Sequence, residues 1–332
     1  MSYDFGITET MSETIERYGM FSGTGPILIA LSGGKDSLTL AKLLKEGPDG
    51  YRMKAAIVDV GHMSFRPRTI RDEARRLGID AKILDAARPG FFPEGVRRVE
   101  GEHALGKLRV LDMSANSDIT PCTACYWTKL LALRQYMDEV GADTVVFGHH
   151  GTDAVASLLK SAFMHIDYHD NGRRRYSGNS FKLLLAEKGL AFRNGPEHFR
   201  NSLFGKRLVE LVEQEKAGTQ EPPVEYNKTL GGRIVRPMFD VYEWQTGAYA
   251  GENSLEAQSS GCSHSQVDTK RTARELIHFG LLHGLPQTEA TRELEIYLHS
   301  LLLPTLREDG TLKFDARAMR DTLLPGYKPS GC

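Results

Sequence analysis

The chain has 332 residues, with 42 Lys and Arg against 43 Asp and Glu, and a formal net charge of −1 with histidine neutral. That balance excludes a strongly basic nucleic-acid coat. Hydrophobic residues at 40% and charged residues at 26% exclude the disordered and fibrous classes; at roughly 150 residues per domain the length suits about two domains, or one large α/β core with an insertion.

In chain order, the apolar run Pro26–Leu31, bounded by Gly25 and Ser32, predicts a buried strand of a parallel sheet. A helix follows from Lys35 to about Lys45, with Leu38, Leu40, Ala41, Leu43 and Leu44 on its apolar face and Gly47-Pro48 as its stop. Lys54–Val60 predicts a second strand, leading to Gly61-His62, a helix from about Pro67 to Leu77 and a short strand near Ala81–Leu84. Residues 88–120, rich in Pro, Gly and Arg, read as a loop. Cys122–Val140 reads as a helix and Asp143–Gly148 as another buried strand, with His149-His150 just past its carboxyl end. Residues 152–164 again suggest a helix. This alternation predicts a doubly wound α/β fold with a mostly parallel sheet.

From His165 to Lys228 the alternation is lost, and the segment reads as a helical insertion. It carries 11 Lys or Arg, including Arg173-Arg174-Arg175, against 9 Asp or Glu. Arg233–Pro237 predicts the last core strand, Val267–Leu282 a helix, and about Thr288–Leu302 a C-terminal helix before a tail. The expected units are therefore 1–164, the first part of the core; 165–228, the insertion; 229–285, the last part of the core; and 286–332, a C-terminal extension.

No stretch approaches the roughly 18 apolar residues of a membrane span, and the N-terminus is acidic rather than basic then apolar. A cytoplasmic protein without a membrane partner is the expectation. Four cysteines, Cys122, Cys125, Cys262 and Cys332, are too few for a disulfide scaffold, and two form a C-x-x-C pair suited to a metal or redox site.

Between the first strand and helix stands Ser32-Gly33-Gly34-Lys35-Asp36-Ser37. Two glycines permit a sharp turn and converging N–H groups, Ser37 adds a hydroxyl, and the helix N-terminus favours an anion. A phosphate chain is the predicted ligand, with Lys35 as a point charge and Asp36 positioned for Mg²⁺. Asp59, at the end of the second strand, joins Gly148 and His149 as a nucleotide contact.

The loop resembles the S-G-G-x-D-S loop of the N-type ATP pyrophosphatases, or PP-loop enzymes, whose adenine nucleotide alpha hydrolase-like fold the resemblance therefore implies. Gly148-His149-His150-Gly151-Thr152-Asp153 is similar to the G-H-H-x-x-D segment of the tRNA 2-thiocytidine and isoleucine-lysidine synthetases. The family pattern has two adjacent acids and a later Glu; Thr152 and Ala156 stand in two of those places, leaving Asp153 as the candidate for Mg²⁺ or α-phosphate chemistry.

Pro121-Cys122-Thr123-Ala124-Cys125 puts two sulfurs one turn apart at a helix start, where the helix dipole favours thiolates. Cys262, in Ser260-Gly-Cys-Ser-His-Ser-Gln266, offers a third ligand. This arrangement resembles the 2-thiocytidine synthetases, in which three cysteines hold a [4Fe–4S] cluster with one open iron. With His264, the same residues could instead make a closed Cys₃His zinc site. Cys332 reads as a free terminal thiol.

The resemblance extends over roughly residues 15–160 and 230–282. It implies an ATP-dependent sulfurtransferase that adenylates a nucleobase carbonyl and replaces its oxygen with sulfur. Asp36, Asp153, Cys122 and Cys125 would be the catalytic residues, and tRNA and a sulfur donor such as a cysteine desulfurase the partners, with a homodimer possible. After the C-x-x-C the family carries arginines, where this chain reads Tyr126-Trp-Thr-Lys-Leu-Leu-Ala-Leu133, with Lys129 and Arg134 the nearest bases. A free nucleobase or natural-product heterocycle is therefore an alternative acceptor, a zinc-containing ATP-dependent ligase an alternative enzyme, and a nucleotide-binding regulator the reading outside enzymes.

Overall fold

The computed structural model describes residues 6–21, 25–47, 50–62, 65–86, 97–103, 106–112, 121–160, 197, 200–201, 203–213, 221–258 and 296–300. The elements in chain order are α1 (Ile7–Arg17), β1 (Ile27–Ala30), α2 (Lys35–Glu46), β2 (Met53–Asp59), α3 (Pro67–Arg76), β3 (Ala81–Asp85), β4 (Arg97–His103), β5 (Gly106–Asp112), α4 (Pro121–Val140), β6 (Thr144–Phe147), α5 (Leu203–Glu213), β7 (Val224–Asn227), β8 (Gly232–Val235) and α6 (Glu243–Glu252). Residues 151–160 are also helical.

Six strands form one sheet in the order β3-β2-β1-β6-β8-β7. Pairing is parallel from β3 through β8, and β7 runs antiparallel to β8 at the edge. Successive side chains on a strand point to opposite faces, and here both faces are covered. Ile27 and Ile29 of β1, Ala55 and Ile57 of β2, Val146 and Val235 pack with Leu40, Leu43 and Leu44 of α2, Ile70 and Ala74 of α3, and Ile7 and Met11 of α1. The alternate residues Leu28, Ala56, Val145 and Ile234 pack with Leu130, Leu133, Tyr136 and Met137 of α4. Two buried faces explain why the central residues of these strands are apolar on both sides instead of alternating.

The doubly wound α/β expectation holds, with local differences. Within the span read as a loop, β4 and β5 form an antiparallel hairpin pairing Arg97 with Asp112 and His103 with Gly106. Val99, Leu108 and Val110 alternate with charged neighbours there, a β pattern masked by the surrounding Pro and Gly. Within the span read as an insertion, α5 is helical and β7 joins the sheet. The β7–β8 turn is fixed by Asn227, whose side-chain oxygen accepts the Leu230 N–H at 3.0 Å, and by Gly231 at φ +70°. Helices α1 and α6 carry no counterpart among the sequence-based expectations. The expected helix Val267–Leu282 lies outside the described residues, and of Thr288–Leu302 residues 296–300 are described and helical.

One clamp joins α3 to the chain that follows α6. Glu73, with its side chain 4% exposed, accepts from Arg76 at 2.7 and 2.6 Å and from the Glu256 N–H at 3.0 Å, while Arg76 donates to the Ser254 carbonyl. Two residues on, the Gln258 N–H donates to the Gly33 carbonyl at 2.8 Å, so this segment braces the glycine turn. The hydrogen bond from Arg76 holds the Glu73 carboxyl below its ordinary value; burial opposes this and the Glu256 N–H adds to it. A lowered folded-state pKa stabilises the protein fully above the unfolded value and loses that contribution as pH falls through the folded one. Glu73→Ala is expected to lower stability at neutral pH by about 1–3 kcal/mol, and in urea titrations across acid pH the gap to the parent protein should close.

Candidate functional site at the carboxyl edge of the sheet

The glycine turn joins β1 to α2. Gly33 has φ +83°, a conformation that favours glycine. The two serines stitch the turn: Ser37 Oγ accepts the Ser32 N–H at 3.2 Å and the Ser32 hydroxyl at 3.1 Å, and donates to the Gly34 carbonyl at 3.0 Å. The first N–H groups of α2 have no intrahelical acceptor and point outward with the positive end of the helix dipole.

Asp36 is the hub. Its Oδ1 accepts from Lys35 Nζ at 2.5 Å and from the Thr246 hydroxyl at 2.7 Å. Lys35 Nζ also lies 3.2 Å from Thr246 Oγ1 and 3.2 Å from Glu243 Oε1. Glu243 and Thr246 come from the first turn of α6, whose Glu243 N–H donates to Thr152 Oγ1 at 2.9 Å. Thr152, standing where the family pattern has an acid, thus ties α6 to the helical residues after β6.

His150 is fully buried between two carboxylates, its Nε2 3.5 Å from Asp36 Oδ1 and its Nδ1 3.7 Å from Asp153 Oδ2. Burial pushes the imidazole pKa down, but the carboxylates of Asp153 and Asp36, with Glu243 beyond, outweigh it and raise the value above the ordinary one. His149 faces the other way, with Nδ1 3.3 Å from Glu221 Oε2 and its ring against Phe147. Of the two adjacent histidines, His150 lies among the acids, and His149, expected as a nucleotide contact, lies beside Glu221. A Cβ on Gly148 would stand 2.8 Å from Ser37 Cα and 2.9 Å from Ser37 N, so the backbones of β6 and the glycine turn touch there. Asp59 uses its Oδ1 to accept the Gly61 N–H at 2.8 Å, closing the turn at the end of β2.

Helix α4 begins at Pro121, with Cys122 and Cys125 three residues apart in its first turns. Cys125 is half-buried, with its Sγ 3.8 Å from Nε2 of His62, the residue directly after the turn that Asp59 caps. Cys262, His264, Cys332 and Arg173–Arg175 lie outside the described residues, as does the Cys122 side chain. Thiolates at a helix N-terminus with an imidazole alongside are soft donors that fit iron or zinc better than a hard cation. Asp36, partly exposed beside the glycine turn, fits Mg²⁺ in its usual protein mode, one or two carboxylates with the remaining ligands from phosphate and water; Asp153 lies on the far side of His150, its Oδ2 accepting the His150 N–H at 3.3 Å, and among the described residues no three acids, histidines or cysteines converge to hold a metal alone. Glu243, Thr246 and His62 are the site residues that sequence reasoning missed. His62 carried a signal, following directly on a predicted strand end, and the other two carried none.

The mostly parallel sheet and its strand, glycine turn and helix define the class: a doubly wound α/β fold with a PP-loop-like turn. No protein-family model matches the chain. Within that class it is similar to the tRNA-cytidine(32) 2-sulfurtransferase of Pelobacter propionicus, 26% identical over 161 residues covering 47% of this chain and 53% of that protein. It is also 30% identical over 155 residues to the enzyme of the same name from Anaeromyxobacter dehalogenans, covering 46% and 47%. The chain spans about half the length of the curated relatives it matches. Among solved structures it is similar to the U34-tRNA thiolase NcsA from Methanococcus maripaludis with its [4Fe-4S] cluster, at 17% identity and TM-score 0.49, covering 96% of this chain and 88% of that one.

The backbone contact at Gly148 makes a direct prediction. Gly148→Ala forces β6 and the glycine turn apart, and overpacking of this kind typically costs about 1–3 kcal/mol; chemical denaturation measures the loss, and unchanged stability would contradict so close an approach.

Proposed function

We propose that this chain is an ATP-dependent sulfurtransferase that thiolates a base of tRNA, a cytidine. The observation that carries this reading is the meeting of two chemistries at one sheet edge. The glycine turn follows β1, and Cys125 reaches His62 just past β2, the strand hydrogen-bonded to β1. Similarity to the tRNA-cytidine(32) 2-sulfurtransferases supports the same reading.

A pyrimidine carbonyl resists substitution because its oxygen leaves poorly. In the proposed reaction that oxygen attacks the α-phosphorus of ATP, the bond from the α-phosphorus to the bridging oxygen breaks, and pyrophosphate departs. Sulfur then adds to the activated carbon, the carbon–oxygen bond breaks, and AMP leaves with the oxygen, so one hard displacement becomes two easier ones. The N–H groups of Gly33, Gly34 and the first turn of α2, with Lys35, stabilise the charge that develops on pyrophosphate. Thr246 and Glu243 orient Lys35 and Asp36 for that task, and His150 keeps its proton between Asp36 and Asp153, moderating the repulsion between the two acids. Asp36 would hold Mg²⁺, which when bound neutralises phosphate charge, while Asp153 acts through His150. Cys122, Cys125 and Cys262 would hold a [4Fe–4S] cluster, which when bound supplies an iron at which sulfur is held for delivery. A cysteine desulfurase is a suitable source of that sulfur when a thiol reductant supplies the two electrons that release its persulfide sulfur as sulfide.

The net charge of −1 favours a second acceptor class, a free nucleobase or related heterocycle, because tRNA binding draws on a positive field. The deciding experiment incubates the iron- and sulfide-reconstituted protein with ATP, sulfide and bulk tRNA from cells lacking the gene, followed by nucleoside mass spectrometry. Appearance of 2-thiocytidine with matching AMP is the expected result, and Lys35→Ala or Asp36→Asn should lower the rate about 100-fold or more. Release of AMP and pyrophosphate only with a small heterocycle would move the acceptor to the second class, and no release with any acceptor would overturn the enzyme reading. Replacing Arg173, Arg174 and Arg175 together with Ala should weaken tRNA binding and flatten its dependence on salt; a small-molecule enzyme would show neither effect.

A further inference from the structure

We propose that His62 is a positioning residue for the cysteine site: in its Nε2–H tautomer it donates to the sulfur of Cys125 and fixes that sulfur beside the end of β2. The inference rests on the sulfurtransferase reading for the identity of the bound group, and on the geometry of this chain for the contact.

Three features converge on the contact. The Sγ of Cys125 and Nε2 of His62 stand 3.8 Å apart although 63 residues separate them in the chain. The turn carrying His62 is held at its base, where the Asp59 carboxylate accepts the Gly61 N–H at 2.8 Å and Gly61 takes φ +79°, a conformation cheap for glycine. Asp59 is itself anchored in the sheet: it pairs with Asp85 of β3, and its carbonyl accepts the Ala86 N–H at 2.9 Å. The imidazole is therefore presented to α4 from a rigid strand end. Both residues are only half-buried, so this mouth is open to a reactant from solvent.

The chemical consequence follows from where charge goes. An N–H donor on a ligating sulfur stabilises the additional electron density of a reduced cluster, so it raises the reduction potential and orients the sulfur. Loss of the donor should lower the potential without removing a ligand. A histidine bound directly to iron makes a different prediction, because its loss would change cluster content.

The test compares the parent protein, His62→Ala and His62→Gln, each reconstituted anaerobically and assayed for iron and sulfide content, the electron paramagnetic resonance of the reduced state and the midpoint potential. The expected result is equal iron in all three, a more negative potential in His62→Ala, and a return toward the parent value in His62→Gln, whose side-chain amide restores a donor. Equal potentials in the parent and His62→Ala overturn the proposal, as does loss of iron in His62→Ala. Failure of the parent protein itself to take up a cluster tells against the sulfurtransferase reading and not the contact. The contact is then read in the metal-free chain as the tautomer of His62, from the ring nitrogen-15 shifts of histidine-labelled protein assigned with His62→Gln; the Nε2–H form is expected, and an Nδ1–H form overturns the proposal here too.

Discussion

The carboxyl edge of this sheet depends on one close approach of backbones. At the end of β6, Gly148 lies so near the peptide between Asp36 and Ser37 that there is room for a hydrogen and none for a methyl group. Because the strand end and the glycine turn touch, the chain beyond Gly148 can pass beneath the first turn of α2 and set His150 against Asp36. From there the segment continues into the helical residues 151–160, bringing Asp153 to the other side of the imidazole. The same segment supplies Thr152 to α6, whose Thr246 returns to Asp36. A closed circuit of polar contacts thus begins and ends on one carboxylate.

The circuit has an electrostatic logic. Asp36, Asp153 and Glu243 bring three carboxylates into a poorly hydrated space, where unpaired charge is costly. Lys35 and His150 stand between them, and the carboxylates outweigh burial to raise the imidazole pKa above its ordinary value, favouring a proton between the acids. Lys35 is shared by Asp36 and Glu243, so much of its charge is already compensated before any anion arrives. Under the proposed function, a phosphate chain at this turn would rely on the backbone N–H groups and the helix dipole for much of its neutralisation, with Lys35 contributing the part of its charge that Asp36 and Glu243 leave uncompensated.

The core was legible because its physics is local. Continuous apolar runs at 26–31, 54–60 and 143–148 can only be strands buried on both faces, and the glycine turn announces itself by residue type and order. The edges were less legible. Strand β7 is short and half-exposed, so its alternation was weak, and the β4–β5 hairpin lay within a span whose Pro and Gly content speaks for irregular structure. The site divides in the same way. Ser32–Ser37 and Asp153 could be named from motifs, but Glu243 and Thr246 arrive from about 200 residues away on a helix with no motif of its own, and only the fold reveals that they face Lys35 and Asp36. Which of the two adjacent histidines points inward among the acids depends on packing and is invisible to adjacent identical letters.

The site's location follows from topology more than from any single residue. In a parallel sheet each connecting helix runs back against the strands, so its N-terminus must lie at their carboxyl ends. Helices α2 and α4, the helical residues 151–160 and α6 each begin at that edge. Every one of these beginnings carries a polar or reactive group: Lys35 and Asp36, the cysteine pair, Thr152 and Asp153, Glu243 and Thr246. Helix N-termini favour anionic partners, so the arrangement suits both phosphate and thiolate without further adjustment. Since β1 and β2 are neighbours only about 4.8 Å apart in the sheet, groups just past their ends share one mouth. A turn built for an anion and a helix start built for a thiolate therefore become neighbours through strand order, with His62, just past β2, in contact with the thiol of Cys125.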